Sequence, residues 1–296
     1  MPARPRLKLS RGCPSGTFRT GPPPTRLHLS SAAAASTSTT GQSLPPAPPQ
    51  RWVSDLQARV GRCLAFGCSA DQVSRAARVL AVLAAEWRHL LAGSEGFLTR
   101  GGGRAGDSRR VVWGEMDSFG HVNNVNYFRY AESARVDWIT DFSVRAAPEH
   151  REAWAELMKP RATGLIMRSL KSEFKFPLVY PDTISVYHKL RPPSGPGPAD
   201  PTAITLDCVV LSHRHRRPAA RLEEDVVVYD YRIAARAPLP DFAAAAFAET
   251  MRAQEAEAAA ARRAVWGLIG EVEALERGTW DREGAVEDLG GGVKGG

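Results

Sequence analysis

In the stretch VVWGEMDSFGHVNNVNYFRYAESARVDWI, residues 111–139, one carboxylate stands between a short apolar run and a long aromatic helical pattern. That acid is Asp117, with Gly120 close behind it, and Asn123, Asn124 and Val125 stand where the helical pattern begins. The first turn of a helix leaves backbone N–H groups unpaired and carries the positive end of the dipole, which suits an anion. Asp117 lies six to eight residues before the helix start, and Gly120 permits a tight turn between them, so the carboxylate can fold back toward those N–H groups. The pairing suits attack on an acyl carbonyl. The acid serves as general base toward water or as nucleophile, and the N–H groups receive the developing oxyanion. The same residues have structural readings: Asn123 and Asn124 are good helix caps, and Asp117 can cap the helix or sit in solvent. His121 can support the turn or a substrate carbonyl. Glu132, on the helix itself, has Arg129 and Arg135 three residues to either side and reads as a structural acid available for helical ion pairs.

The elements that must position these groups follow from periodicity. Tyr127, Tyr130, Ala131, Ala134 and Trp138 form one helical stripe, and Phe128, Val136 and Ile139 leave few polar positions. A helix of roughly 16 residues spans about 24 Å and, if apolar on most sides, must be largely enclosed. A curved sheet can do that. RRVVW from Arg109, GLIMRSLKSEFKF at 164–176, ISVYHKL at 184–190, ITLDCVVL at 204–211 and DVVVYDY at 225–231 read as strands. The alternation puts Ile184, Val186, His188 and Leu190 on one face, and likewise Ile204, Leu206, Cys208 and Val210. One strand, one long helix and four further strands predict an α+β architecture, an antiparallel sheet packed on a single helix.

Outside this core, residues 51–92 read as two helices, the second opened by a Ser69/Gln72 capping box. The glycine cluster at 101–106 reads as a hinge, and PPSGPGPADP at 192–201 as a mobile loop. Residues 243–279 form a charged, Ala-rich helix with Val265, Leu268, Ile269, Val272 and Leu275 on one face, read as a packing or dimer-supporting helix. The tail GGGVKGG is expected to be disordered.

Charge and composition exclude several classes of function. Of the formal net charge of +7, residues 1–50 supply +6, because Arg4, Arg6, Lys8, Arg11, Arg19 and Arg26 are unopposed by any acid. The remainder lacks the basic footprint of a nucleic-acid binder. An Arg- and Ser-rich, acid-free start reads as an organelle transit peptide, and no run approaches the roughly 18 apolar residues of a membrane span. Cys13, Cys63, Cys68 and Cys208 show neither a CxxC nor a zinc spacing, so reduced structural thiols are expected. His213 and His215, in SHRHRR, read as a solvated hairpin turn.

WGEMDSFGHVNNVNYFRYAESAR, from Trp113 to Arg135, resembles the signature of hotdog-fold acyl-CoA thioesterases of the 4-hydroxybenzoyl-CoA thioesterase type. Departures are Glu115, where Asp is usual, and Pro181-Asp182, where Gly-Asp often opens the third strand. The resemblance implies a hotdog domain over 107–242. Around it lie a transit or disordered segment at 1–50, a helical extension at 51–100 and a C-terminal helix and tail at 243–296. The outer helices are similar to extensions of fungal-type mitochondrial members, which implies a matrix location. The implied function is hydrolysis of an acyl-CoA, or of an acyl-carrier-protein thioester, without metal or redox cofactor, in a homodimer or homotetramer with its sites between subunits. Asp117 and the backbone N–H of Asn124 take the catalytic positions. Gly120, His121, Val122, Asn123 and Tyr127 lie along the substrate, and Glu132 is a second-tier acid, since another hotdog branch carries its catalytic carboxylate on the helix. Arg214, Arg216 and Arg217 are candidates by charge for the CoA phosphates. The alternatives are a non-catalytic hotdog subunit whose outer helices bind another protein, and a hydratase, whose expected Asp–His pair is not evident.

Overall fold

The computed structural model describes residues 43–100, 108–146, 148–193 and 200–286. Residues 1–42 of the expected leader, the glycine hinge, most of the Pro/Gly loop and the C-terminal tail lie outside the described residues.

Two helices come first, α1 (Trp52–Phe66) and α2 (Ala70–Gly93). The capping box at the start of α2 is formed: Ser69 Oγ accepts from Gln72 N–H, and Gln72 Oε1 accepts from Ser69 N–H. A two-residue strand β1 (Arg109–Arg110) leads through a turn to α3 (Asn124–Asp141), followed by the short α4 (Arg151–Glu156). The remaining strands are β2 (Thr163–Phe174), β3 (Thr183–Leu190), β4 (Ala203–Ser212), β5 (Arg217–Asp230) and the two-residue β6 (Ala235–Arg236). A single long helix, α5 (Asp241–Gly278), ends the described fold. The sheet order is β1-β3-β4-β5-β2, with β6 beside β5 and every pairing antiparallel. This is the hotdog arrangement, α+β, with helices added at both ends.

Strand alternation gives the sheet two different faces. Ile184, Val186, Cys208, Val210 and Leu222 meet Tyr127, Tyr130, Ala131 and Ala134 of α3 in one core. Tyr187, Val209 and Leu211 point the other way into a second core built with α1, α2 and α5. There Val265, Ile269, Val272 and Leu275 of α5 pack on Val79 and Leu83 of α2 and Leu56 and Val60 of α1. The Gln254 side chain clamps α5 to the strand end, accepting from Leu190 N–H and donating to Leu190 O, both at 2.9 Å.

The structure corrects four sequence readings. β1 is shorter than RRVVW because a 3-10 turn over Trp113–Glu115 turns the chain away, although Val111 N–H still reaches Asp182 O at 2.9 Å. β5 begins eight residues earlier than DVVVYDY: Pro218 and the small Ala219 and Ala220 hide the strand pattern, and the register slips beside them, between Val210 and Leu211. Residues 43–50 are part of the described body, since Pro45 O and Pro46 O accept from Arg262 and Trp266 of α5. Finally, α3 is enclosed on one side only. Its Tyr127–Trp138 stripe is buried, but Val125 is 58% and Val136 42% exposed.

Candidate active site

The turn that carries Asp117 is closed by its own backbone. Asp117 N–H donates to His121 O at 2.8 Å, Gly120 N–H donates to Asp117 O at 3.0 Å, and Met116 bridges Val122. Gly120 adopts φ +72°, the left-handed conformation the turn needs and that a side chain would strain. Glu115, the departure from the usual Asp, fastens the turn to the helix. Its carboxylate accepts from Val112 N–H, and its carbonyl accepts from Asn123 N–H and Asn126 Nδ2, all at 2.8–2.9 Å.

Asn123 is the N-cap of α3, with Oδ1 accepting from Val125 N–H at 3.0 Å, and its carbonyl accepts from Asn126 N–H. Between the satisfied N–H groups of Asn123 and Val125, the N–H of Asn124 has no hydrogen-bond partner among the described residues. It is an open donor at the positive end of an 18-residue helix. Asp117 spends one oxygen on its own turn, accepting from Phe119 N–H at 2.9 Å, and its other oxygen has no described partner.

A cleft of about 540 Å³ gathers Asp117, His121, Val122, Asn124 and Tyr127 on one wall and Phe174, Lys175, Phe176 and Pro177 on the other. The walls are tied together, since Val122 N–H donates to Leu178 O and Leu178 N–H donates to the Tyr127 hydroxyl oxygen at 3.1 Å. Burial pushes the Tyr127 phenol up, with the Leu178 hydrogen bond opposing it, so it remains a neutral, ordered wall. Gly120 and Asn123 shape the turn without lining the cleft.

Glu132 lies outside this cleft. It is exposed on α3 and makes no ion pair among the described residues, which corrects the expectation of helical pairs with Arg129 and Arg135. Arg135 turns inward instead, placing Nη1 2.8 Å from Oε1 of the fully buried Glu224, whose Oε2 is 3.3 Å from His188 Nε2. Burial alone would raise the Glu224 carboxyl; His188 and Arg135 outweigh it and hold it low. His188, Cys208 and Glu224 place donor atoms within 4.8 Å of one another, a cluster the spacing of single residues on three strands concealed. Burial pushes the Cys208 thiol well above its ordinary value, and a guanidinium already answers the carboxylate, so the set is built as an ion-pair network.

His213 is also corrected. It is packed rather than solvated, edge-on to Trp87 at 5.6 Å, with Nε2 2.9 Å from Ser185 Oγ. Sequence reasoning missed Phe119 and the wall at Phe174–Pro177. The strand pattern at 164–176 contains no chemical signal, and only the fold brings its end to the helix start.

Residues 111–247 match the family described as the Thioesterase-like superfamily, a little under half of the chain. Among solved structures, the PA2801 protein of Pseudomonas aeruginosa is 25% identical over 47% of this chain and 95% of its own, with a TM-score of 0.37. The thioesterase of Thermus thermophilus complexed with coenzyme A and Zn is 21% identical, covering 51% and 92%, with a TM-score of 0.36. The DHNA-CoA thioesterase of Staphylococcus aureus is 14% identical, covering 49% and 89%, with a TM-score of 0.38. No curated protein matches the chain.

Proposed function

We propose that the chain is a thioester hydrolase acting on acyl-CoA. The observation that carries this reading is the meeting of two groups in one cleft: a carboxylate, Asp117, with one oxygen unpartnered among the described residues, and a helix N-terminal amide, Asn124, likewise unpartnered among them. The match of residues 111–247 to the thioesterase-like family supports it. In this mechanism the thioester carbonyl oxygen points at the Asn124 N–H, which stabilises the negative charge that develops on it. Asp117 either takes a proton from water as the water oxygen bonds to the carbonyl carbon, or bonds to that carbon itself to give an acyl-carboxylate anhydride that water then opens. In both routes the C–S bond breaks and the thiolate leaves, regaining a proton from solvent or from the carboxyl. Gly120 and Asn123 hold the turn, and His121, Val122 and Tyr127 line the cleft for the acyl group. A single turnover in ¹⁸O water separates the general-base route from an anhydride that water opens at the Asp117 carboxyl carbon, because only the latter places label in Asp117.

The cleft calls for a second copy of the chain. Phe119 (83% exposed) in its wall, Trp113 (73%) in the same turn and Val125 at the helix start are uncovered apolar surface, and among the described residues β2 pairs only with β5, leaving one edge free. Two copies joined here form a homodimer, with each site completed across the interface. A mass in solution of at least twice 32.1 kDa is expected at micromolar concentration. The acid-free first 45 residues fit a mitochondrial matrix address, and removing them should leave a folded protein that no longer enters mitochondria.

The deciding experiment is a hydrolysis screen of the full chain against acyl-CoAs of graded length; turnover of none of them would sink the reading. The scaffold alternative finds less support, because α1, α2 and α5 spend their main apolar faces on one another and on the sheet of their own chain.

A further inference from the structure

Lys175 and Phe176 line the Asp117 cleft and, on their other side, a second hollow of about 480 Å³. One bank of that hollow is the segment Ala47–Arg51 with the end of α2, and the other is Arg217, Pro218 and Arg221 at the start of β5. A smaller hollow of about 210 Å³ continues it, sharing Arg51 and Arg217 and adding His215 and Arg216. The three form one trough that begins at the candidate catalytic acid.

The trough is basic although the chain beyond its first fifty residues carries little net charge. Its second and third parts are lined by Arg51, Lys175, Arg216, Arg217 and Arg221 and by one acid, Glu95, while Lys175 is paired at 2.7 Å with Glu173 beside them. Glu95 is taken up by Arg221, which forks both of its oxygens at 2.6 Å. Arg51, Arg216 and Arg217 make no ion pair among the described residues. Arg217 lies 4.2 Å over the ring of Phe176, and His215 meets the same ring edge-on at 4.9 Å, giving a cationic and aromatic platform. Arg214, the third charge candidate of this hairpin, does not line the trough.

The banks are fixed in place. The buried Asp182 anchors the hairpin, accepting from Ser212 Oγ at 2.5 Å and from Arg214 N–H at 3.0 Å. The opposite bank is held by Arg262 and Trp266 of α5 through Pro45 O and Pro46 O. That bank lies outside the family match at 111–247, so the added N-terminal segment makes half of this site.

We propose that this trough binds the 3′-phosphorylated adenosine diphosphate end of coenzyme A, an inference that rests on the acyl-CoA reading of the cleft. The acyl-pantetheine arm passes Lys175 and Phe176, the guanidinium groups of Arg51, Arg216 and Arg217 take phosphate oxygens, and the adenine stacks on the Arg217–Phe176 platform. The main hollow has the size of a small-ligand site.

The test measures binding of free CoA, 3′-dephospho-CoA and pantetheine to the full chain by calorimetry. It compares wild type with Arg51→Ala/Arg217→Ala, both exposed positions, after circular dichroism has shown that the variant is folded. CoA should bind wild type about tenfold or more tightly than pantetheine, with dephospho-CoA between them. The double variant should lose most of that advantage, and added salt should shrink it. Should the double variant not fold, Arg51→Glu and Arg216→Ala are measured singly, each with the same expectation in smaller size. Equal affinity of wild type for CoA and pantetheine overturns the proposal, as does a folded variant that keeps the preference. Tighter binding of a holo-acyl carrier protein than of CoA, lost in the same variants, also overturns it. Hydrolysis of acyl-CoA without any nucleotide preference removes the trough alone, whereas the preference without hydrolysis of any thioester removes the catalytic reading alone.

Discussion

The turn that bears Asp117 and the helical layer on the far side of the sheet are built by opposite rules. Around the turn, large apolar side chains face outward: Trp113 and Phe119 are uncovered, and an amide and a carboxylate oxygen have no partner among the described residues. In the helical layer Val60, Leu83, Val265 and Val272 are fully buried, and the helix termini are tied together, as where Gln72 Nε2 reaches Gly278 O. The layer spends its groups on its own chain, and the turn keeps its groups for something else. If Asp117 is the catalytic acid as proposed, the catalytic turn and the buried helical core lie on opposite faces of one sheet, and substitutions in the two should be separable.

The largest effect should come from Asp117→Asn. It keeps the volume and can still accept from Phe119 N–H, so fold and binding should persist while kcat falls about 10²–10⁴-fold with little change in KM. Near-normal kcat in the folded variant would end the assignment of Asp117. On the other face, Leu83→Ala should cost about 2–5 kcal/mol of stability, read by denaturant midpoint, because its side chain is fully buried among α1, α2 and α5. Its kcat at 25 °C should match wild type; a parallel fall in kcat would show that the two faces are coupled.

A smaller effect concerns pH. Burial, then the nearby Arg88 cation, lowers the pKa of His213 below its ordinary 6.5, and burial with Arg100 lowers that of His89. The unfolded chain then binds more protons than the folded one below about pH 6.5, so this contribution is complete above that pH and is lost as pH falls toward the folded values. His213→Gln should flatten the decline in Tm between pH 7.5 and 5.5; an unchanged slope would remove His213 from the account. The smallest effect belongs to Glu132→Gln. Exposed and unpaired among the described residues, it should shift stability by no more than about 0.5 kcal/mol and leave turnover intact. An inactive yet folded Glu132→Gln beside an active Asp117→Asn would move the chemistry onto the helix.

What the sequence determined by itself is local. The start of α3 at Asn123, the left-handed turn at Gly120, the capping box at Ser69 and the two-residue alternation of β3 and β4 each depend on groups a few residues apart, so they are written in short stretches. The tertiary structure decided everything that joins distant stretches. It set Phe174–Pro177 opposite Asp117, carried Arg135 away from Glu132 to the buried Glu224, packed His213 beneath Trp87, and laid Ala47–Arg51 beside Arg217. No periodicity encodes those meetings. They follow from which faces the sheet must bury, and a guanidinium with two carboxylates in reach goes where desolvation leaves the buried one most in need of a partner.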